Sequence, residues 1–355
     1  MSFQKITGIK IDARKLPKHT WNADLIEFDG PLLSLYKSEQ GEDLLYVWLD
    51  CTDLRNRWAV VPVSRRVLRG YLEQELTLRE AFLSSEYIVV FHTSSGAKRS
   101  AFLQTAWNLL PEDYLPDEDS YLYPEISTQA AKQLADEVSE EYALGLDGEM
   151  YIEDLANIPK IYQQLYSFHY GLEHLDRPAV FGALSRLASK WTGGFSSVNI
   201  FSGLSAVTPS IHRPRVTELR FNSPGHIKID LLPDLAARIE DAAEVIIDED
   251  SYSALEQFYG AVYRYFKENK LAGFDDEREL NSVVLAPEIS ERLGEYVDYF
   301  FELMSWSGYV NLFGHLDVSP LHQLRVLLAY YRRLRKLRPY LVGGTLFLGR
   351  SRLLS

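Results

Sequence analysis

Two histidine-bearing clusters are the first residues in this chain whose types could do chemistry. His169, Glu173, His174 and Asp176 lie close together in sequence, as do His315, Asp317 and His322. Imidazole and carboxylate donors are the ligand set of zinc and related divalent sites. On a helix, however, His169 and Glu173 share a face at i,i+4, whereas His169 and His174 sit about 140° apart. The order is not His-Glu-x-x-His, and the plainer reading is polar residues closing a helix before Pro178. The second cluster would need a further ligand from elsewhere in the fold. No metal is expected at either.

Acids are plentiful without forming a pattern. Asp117-Glu118-Asp119 and Asp248-Glu249-Asp250 could meet a cation, but charge runs of this kind are usually solvated. Glu218, Lys228 and Asp230 gather on a predicted hairpin in the manner of a metal-dependent nuclease, yet Lys228 precedes Asp230, the reverse of the Asp…Glu-x-Lys order. Neither Gly-x-x-x-x-Gly-Lys-Ser/Thr nor Gly-x-Ser-x-Gly occurs. Ser223 precedes Pro224 in a turn, and Cys51, the only cysteine, reads as a strand-end packing residue. No catalytic residue, cofactor or metal is assigned, and a non-catalytic role is the expectation.

The best candidate for a binding function is basic. Arg332, Arg333, Arg335, Lys336 and Arg338 cluster near the end of a predicted helix, interleaved with Tyr330, Tyr331 and Tyr340. Guanidinium groups beside aromatic rings suit phosphate contacts plus stacking. The same residues also suit a protein partner, a dock onto this chain's own acidic segments, or plain solvation. From Leu321 to Ser355 the chain carries +8 with no acid, leaving −21 for the remainder of a chain whose net charge is −13. Pro111 to Asp154 alone holds 14 acids against Lys132. That repulsion opposes non-specific duplex binding.

These residues need elements to hold them. At 355 residues the chain exceeds what one core usually supports, so two or three domains are expected. Phe28 to Ser64 reads as a three-strand meander, with arms at Gly30–Tyr36, Leu44–Leu49 and Arg57–Val63. Ser64 is the expected cap of a helix through Leu72, followed by a helix over Thr77–Leu83 and strands over Glu86–Thr93 and Ala101–Leu109. A β-rich domain over 1–110 and an acidic connector over 111–126 result. An α+β domain over 127–274 opens with a helix from Ser127 to Tyr142. It continues with helices over Ile152–Leu165 and Pro178–Trp191, a strand over Ser196–Ala206, a hairpin over Arg215–Leu232 and two further helices, the second capped at Asp250 or Ser251. A helical region over 275–355 ends the chain. The fold class is α+β.

The order Asp29-Gly30-Pro31-Leu32-Leu33, then Tyr46-Val47-Trp48, then Arg57-Trp58 and Val63-Ser64, resembles an uncharacterised bacterial family of small β-rich N-terminal domains. Leu110-Pro111-Glu112 with Leu115-Pro116 is similar to the segment that closes that domain. The resemblance covers about residues 24–122 and brings no reaction with it. It implies a bacterial setting among accessory or phage-defence genes.

A single cysteine rules out an internal disulfide framework, no apolar leader is visible, and no apolar run nears the roughly 18 residues of a membrane span. The expectation is therefore a cytoplasmic, non-catalytic binding or regulatory subunit of an intracellular complex, with a protein partner or self-association and no membrane. Two alternatives are a nucleic-acid-binding enzyme or sensor whose site assembles only in the fold, and an acidic mimic of nucleic acid. Alanine at Arg332, Arg333 and Arg335 is expected to weaken partner association and leave the fold intact.

Overall fold

The structure, a computed structural model, describes residues 3–12, 17–28, 30–94, 99–122, 139–190, 198–271, 285–309 and 318–349. The fold is α+β, and its contacts divide the chain into two compact units. One comprises Met1–Val138 with Pro209–His212, and the other Ser139–Thr208 with Arg213–Ser355. Among the described residues no helix is long and apolar enough to cross a membrane.

The first unit is built on a seven-stranded antiparallel sheet of order β1-β7-β6-β5-β4-β3-β2. Its strands are β1 (Ile9–Lys10), β2 (His19–Glu27), β3 (Pro31–Ser38), β4 (Asp43–Thr52), β5 (Arg55–Val63), β6 (Ile88–Ser94) and β7 (Arg99–Thr105). The expected meander is β3 to β5. Leu35 pairs with Leu45 and Leu45 with Val61, so one face carries a continuous apolar row. Strand alternation places every second residue on that face. Helices α1 (Arg65–Leu72) and α2 (Leu78–Leu83) contribute Leu68, Tyr71, Leu72, Ala81 and Phe82 to the same core. Each such buried side chain contributes about 2 kcal/mol. Ser64 caps α1 by accepting from the Val67 N–H at 3.2 Å, and Thr77 and Glu80 form a capping box on α2. The opposite face has its own aromatic cluster, Tyr46 and Phe91 packed with Tyr36, Trp58 and Phe102.

The expected connector over 111–126 is, in its described part, folded onto this unit. Leu110, Tyr114 and Leu122 are buried, Leu78 N–H donates to the Ser120 carbonyl at 2.9 Å, and Arg79 Nη1 donates to the Pro116 carbonyl at 2.9 Å. Its apolar residues, placed between the acids, give it a surface to bury.

The second unit carries a four-stranded antiparallel sheet of order β11-β8-β10-β9. These strands are β8 (Glu140–Leu146), β9 (Arg215–Arg220), β10 (Gly225–Leu231) and β11 (Leu346–Leu348). The helices are α3 (Ile152–Glu173), α4 (Pro178–Lys190), α5 (Val198–Gly203), α6 (Pro233–Ile247), α7 (Glu249–Glu268), α8 (Pro287–Leu303) and α9 (Pro320–Val342). One core spans them, so the expected division at 274 does not separate two cores. Tyr142, expected on a helix from Ser127, lies in β8, and residues 127–138 of that expectation fall outside the described residues. The strand expected over Ser196–Ala206 is replaced, in its described part, by α5 and a 3-10 turn, because Ile200, Phe201 and Leu204 bury at helical rather than alternating spacing. The cap of α7 is Asp248, which accepts from the Ser251 N–H at 2.9 Å, not Asp250 or Ser251. After α9, Gly344 takes φ +70°, a left-handed turn that leads into β11, a strand absent from the expected helical end.

Residues 165–172 of α3 are all buried, so this helix is surrounded by its neighbours. His169 is therefore enclosed. Its Nε2 lies 2.8 Å from Tyr330 Oη and its Nδ1 3.1 Å from Tyr309 Oη. Tyr309 Oη donates to Glu173 Oε1 at 2.7 Å, which also accepts from Arg238 Nε at 3.0 Å. With its proton spent on Glu173, Tyr309 accepts from Nδ1–H, and Nε2 accepts from Tyr330. Burial, with the Arg238 charge behind it, holds the imidazole pKa down at about 3. Below pH 6.5 the unfolded chain binds a proton at this histidine that the folded chain refuses. Stability thus falls with pH between 6.5 and about 3, by up to about 1.4 kcal/mol per pH unit from this residue. His169→Gln is expected to remove one proton's share of that slope in urea unfolding at pH 7, 6 and 5. An unchanged slope contradicts a neutral buried His169.

Candidate functional site

An arginine occupies the core-facing parity of β5. Arg57, Ala59, Val61 and Val63 alternate onto one face, and Arg57 is 6% exposed. Burying a guanidinium requires partners for its N–H groups. Nη1 donates to the Gln4 carbonyl at 2.7 Å and to Tyr114 Oη at 2.9 Å, and Nε donates to His92 Nε2 at 3.4 Å. Asp50 Oδ1 stands 3.6 Å from Nε and supplies the counter-charge, while its Oδ2 accepts from Tyr114 Oη. The Phe3 ring covers the group, 4.1 Å from the guanidinium carbon and 4.5 Å from the His92 ring centre. The cation is thereby held rigid against the sheet.

A cleft of about 790 Å³ opens beside it. Among the described residues its lining includes Lys5, Lys10, Arg57 and Arg99 against the single carboxylate of Asp12, with Phe3, Ile6, Ile11, Phe102 and Leu103 as apolar walls. Arg99 is oriented by Tyr46, to whose Oη it donates at 3.1 Å, and its guanidinium stands 5.3 Å over the Tyr46 and Phe91 rings. His92 also lines the cleft. Burial first, then the charges of Arg57 and Arg55, lower its pKa, so the ring is neutral at pH 7. Because Arg57 Nε donates to Nε2, the single proton of that neutral ring belongs on Nδ1. Nδ1 is buried and has no hydrogen-bond partner among the described residues. The cleft thus pairs an excess of fixed positive charge with a buried donor that lacks an acceptor.

The basic residues of α9 are mostly engaged within the second unit. Arg333 Nε donates to Gln164 Oε1 at 2.7 Å, Nη1 to the Ala329 carbonyl at 3.0 Å, and the guanidinium lies 3.9 Å over the Phe201 ring. Burial, then the neighbouring Arg332, lower its pKa to about 10. Arg335 Nη1 meets Glu256 Oε1 at 3.0 Å, and Tyr331 donates to the same oxygen at 2.6 Å. Arg338 Nε donates to the Ile246 carbonyl at 2.8 Å, its Nη2 pairs with Glu249, and it stacks 3.8 Å over Tyr252. Arg332 is half-buried, and Lys336 is exposed. The interleaved tyrosines are used too, Tyr340 by donating to Asp154 and Tyr330 by holding His169.

The remaining candidates stay apart. His174 turns away from His169, stacking on Tyr170 and approaching its carbonyl at 2.9 Å through Nδ1. His315 and Asp317 lie outside the described residues, while His322 contacts Ser319 Oγ at 2.8 Å. Asp230 pairs with Arg215 at 2.6 Å, and Lys228 bridges Glu218 and Glu141 at 3.1 and 3.3 Å. Cys51 is exposed in β4 rather than packed. Among the described residues no three His, Cys, Asp or Glu side chains gather as metal ligands.

Compared with family models, curated proteins and solved structures, the chain finds no match. The chemistry of the site rests on its own residues.

The engaged arginines carry a stability cost when removed. Arg333→Ala strips Gln164 of its donor and uncovers Phe201, and is expected to cost about 2 kcal/mol. Lys336→Ala is expected to change stability by less than about 0.5 kcal/mol. Urea midpoints of the two variants check this, and equal small losses would contradict a structural use of Arg333.

Proposed function

We propose that the protein acts by binding, as a receptor or regulatory subunit without a reaction of its own. The cleft beside Arg57 is its ligand site, and the ligand is a small molecule bearing an oxyanion on an apolar body. The observation that carries this reading is the charge of the cleft, four cations and one carboxylate among the described residues, with the neutral ring of His92 in its lining. An oxyanion supplies the negative charge that Lys5 and Lys10 attract beside the fixed charge of Arg57. The apolar walls bury the rest of the ligand, and the volume falls within the range of small-molecule sites. Arg57 is already committed to Gln4, Tyr114 and His92, so it acts as a fixed charge rather than a moving clamp.

The test is calorimetric titration of the whole protein with inorganic phosphate, nucleoside monophosphates and aromatic carboxylates, with thermal shift as a second readout. At least one class is expected to bind, more weakly as salt rises. The exposed pair Lys5→Glu and Lys10→Glu should lower affinity by about tenfold or more with the fold retained by circular dichroism. Absence of binding by all three classes at millimolar concentration overturns the reading.

A further inference from the structure

We propose that β9 is the contact edge of a symmetric homodimer, in which the β9 strands of two copies pair antiparallel about Leu219 and join two four-stranded sheets into one of eight strands. The inference is independent of the ligand cleft.

Strand β9 is the outermost member of its sheet, and among the described residues no other strand pairs its open side. Edges of this sort are templates for another strand. Its apolar residues are poorly covered. Val216 is 55% and Leu219 62% exposed, although their register partners Ile229 and Ile227 are each 3% exposed. Paired residues share a face, so the apolar face that begins on β10 runs out onto β9 without cover. Phe221, immediately after the strand, is 53% exposed as well.

Charge selects a second copy as the occupant. Glu218 already gathers Lys228 Nζ at 3.1 Å and His226 Nε2 at 3.1 Å and remains half exposed. The side chain of Arg220 is exposed and has no ion pair or hydrogen bond among the described residues. In the run Glu218-Leu219-Arg220, antiparallel self-pairing centred on Leu219 sets each Glu218 opposite the other copy's Arg220 and sets Leu219 against itself. The sequence is therefore self-complementary in the way an isologous two-fold contact requires. One pairing supplies a partner for Arg220, cover for Leu219, and hydrogen bonds for the open edge.

Two measurements on the full chain test this. Sedimentation velocity from about 1 to 200 μM is expected to show a monomer–dimer equilibrium, with Arg220→Glu weakening the dimer about tenfold or more by setting acid against acid. In a Cys51→Ser background, Leu219→Cys is expected to form a disulfide-linked dimer under mild oxidation, because directly opposed strand residues have Cα atoms about 4.5–5.5 Å apart, within disulfide reach. Val216→Cys, set opposite Asn222 of the other copy, should link far less. A monomer at 200 μM overturns the proposal. A dimer that Leu219→Cys does not link, or that Arg220→Glu leaves intact, places the contact elsewhere and overturns it equally.

Discussion

An arginine on the core-facing side of a β-strand must be hydrogen-bonded, or the sheet that carries it is destabilised by several kcal/mol. Arg57 sits in that position on β5, the middle strand of the first unit's sheet, and distant segments converge on it. Gln4 and Phe3 are drawn in from the N-terminal segment, Tyr114 from the segment after the sheet, and His92 and Asp50 from the flanking strands. Most of the hydrogen-bond partners are neutral, and the carboxylate of Asp50 is the counter-charge. The neutral state of His92 follows first from its own burial and then from the charges of Arg57 and Arg55.

A related rule governs the second unit. Its buried polar groups are joined in chains that run out to the surface, such as Tyr330–His169–Tyr309–Glu173–Arg238, whose last two members are exposed. Five basic residues on α9 would repel one another if left together in water. The structure spreads three of them over Gln164, Glu256, Glu249 and the Ile246 carbonyl and lays each over an aromatic ring. A charge cluster that looks like a ligand surface in sequence is here largely a set of internal fasteners.

What sequence makes legible follows from the range of the interaction. The meander, α1, α2, α6, α8, α9 and the β10 arm of the hairpin are readable because their buried faces repeat at a short period, and α1, α2 and α9 also have caps that bond within three residues. The strand β11 is not, since three residues carry no period and its partner β8 lies about 200 residues earlier. The inward parity of Arg57 is visible in β5, but its meaning is not, because Tyr114 is 57 residues away and Gln4 is 53. The uses of Arg333, Arg335 and Arg338 depend likewise on partners 169, 79 and 92 residues distant. Local chemistry names the groups, and only the fold says what they face.

The central claim is that the cation-lined cleft beside Arg57 takes an anion, and that the neutral His92 in its lining carries its one proton on Nδ1. Nitrogen-15 NMR of the histidine side chains at pH 7, with His92 assigned by comparison with His92→Gln, tests it directly. The account predicts a neutral ring protonated on Nδ1, whose Nδ1 resonance moves on titration with a bound oxyanion while that of His169 does not. A ring protonated on Nε2, a charged imidazolium, or an Nδ1 signal indifferent to every anion that binds the protein would contradict it.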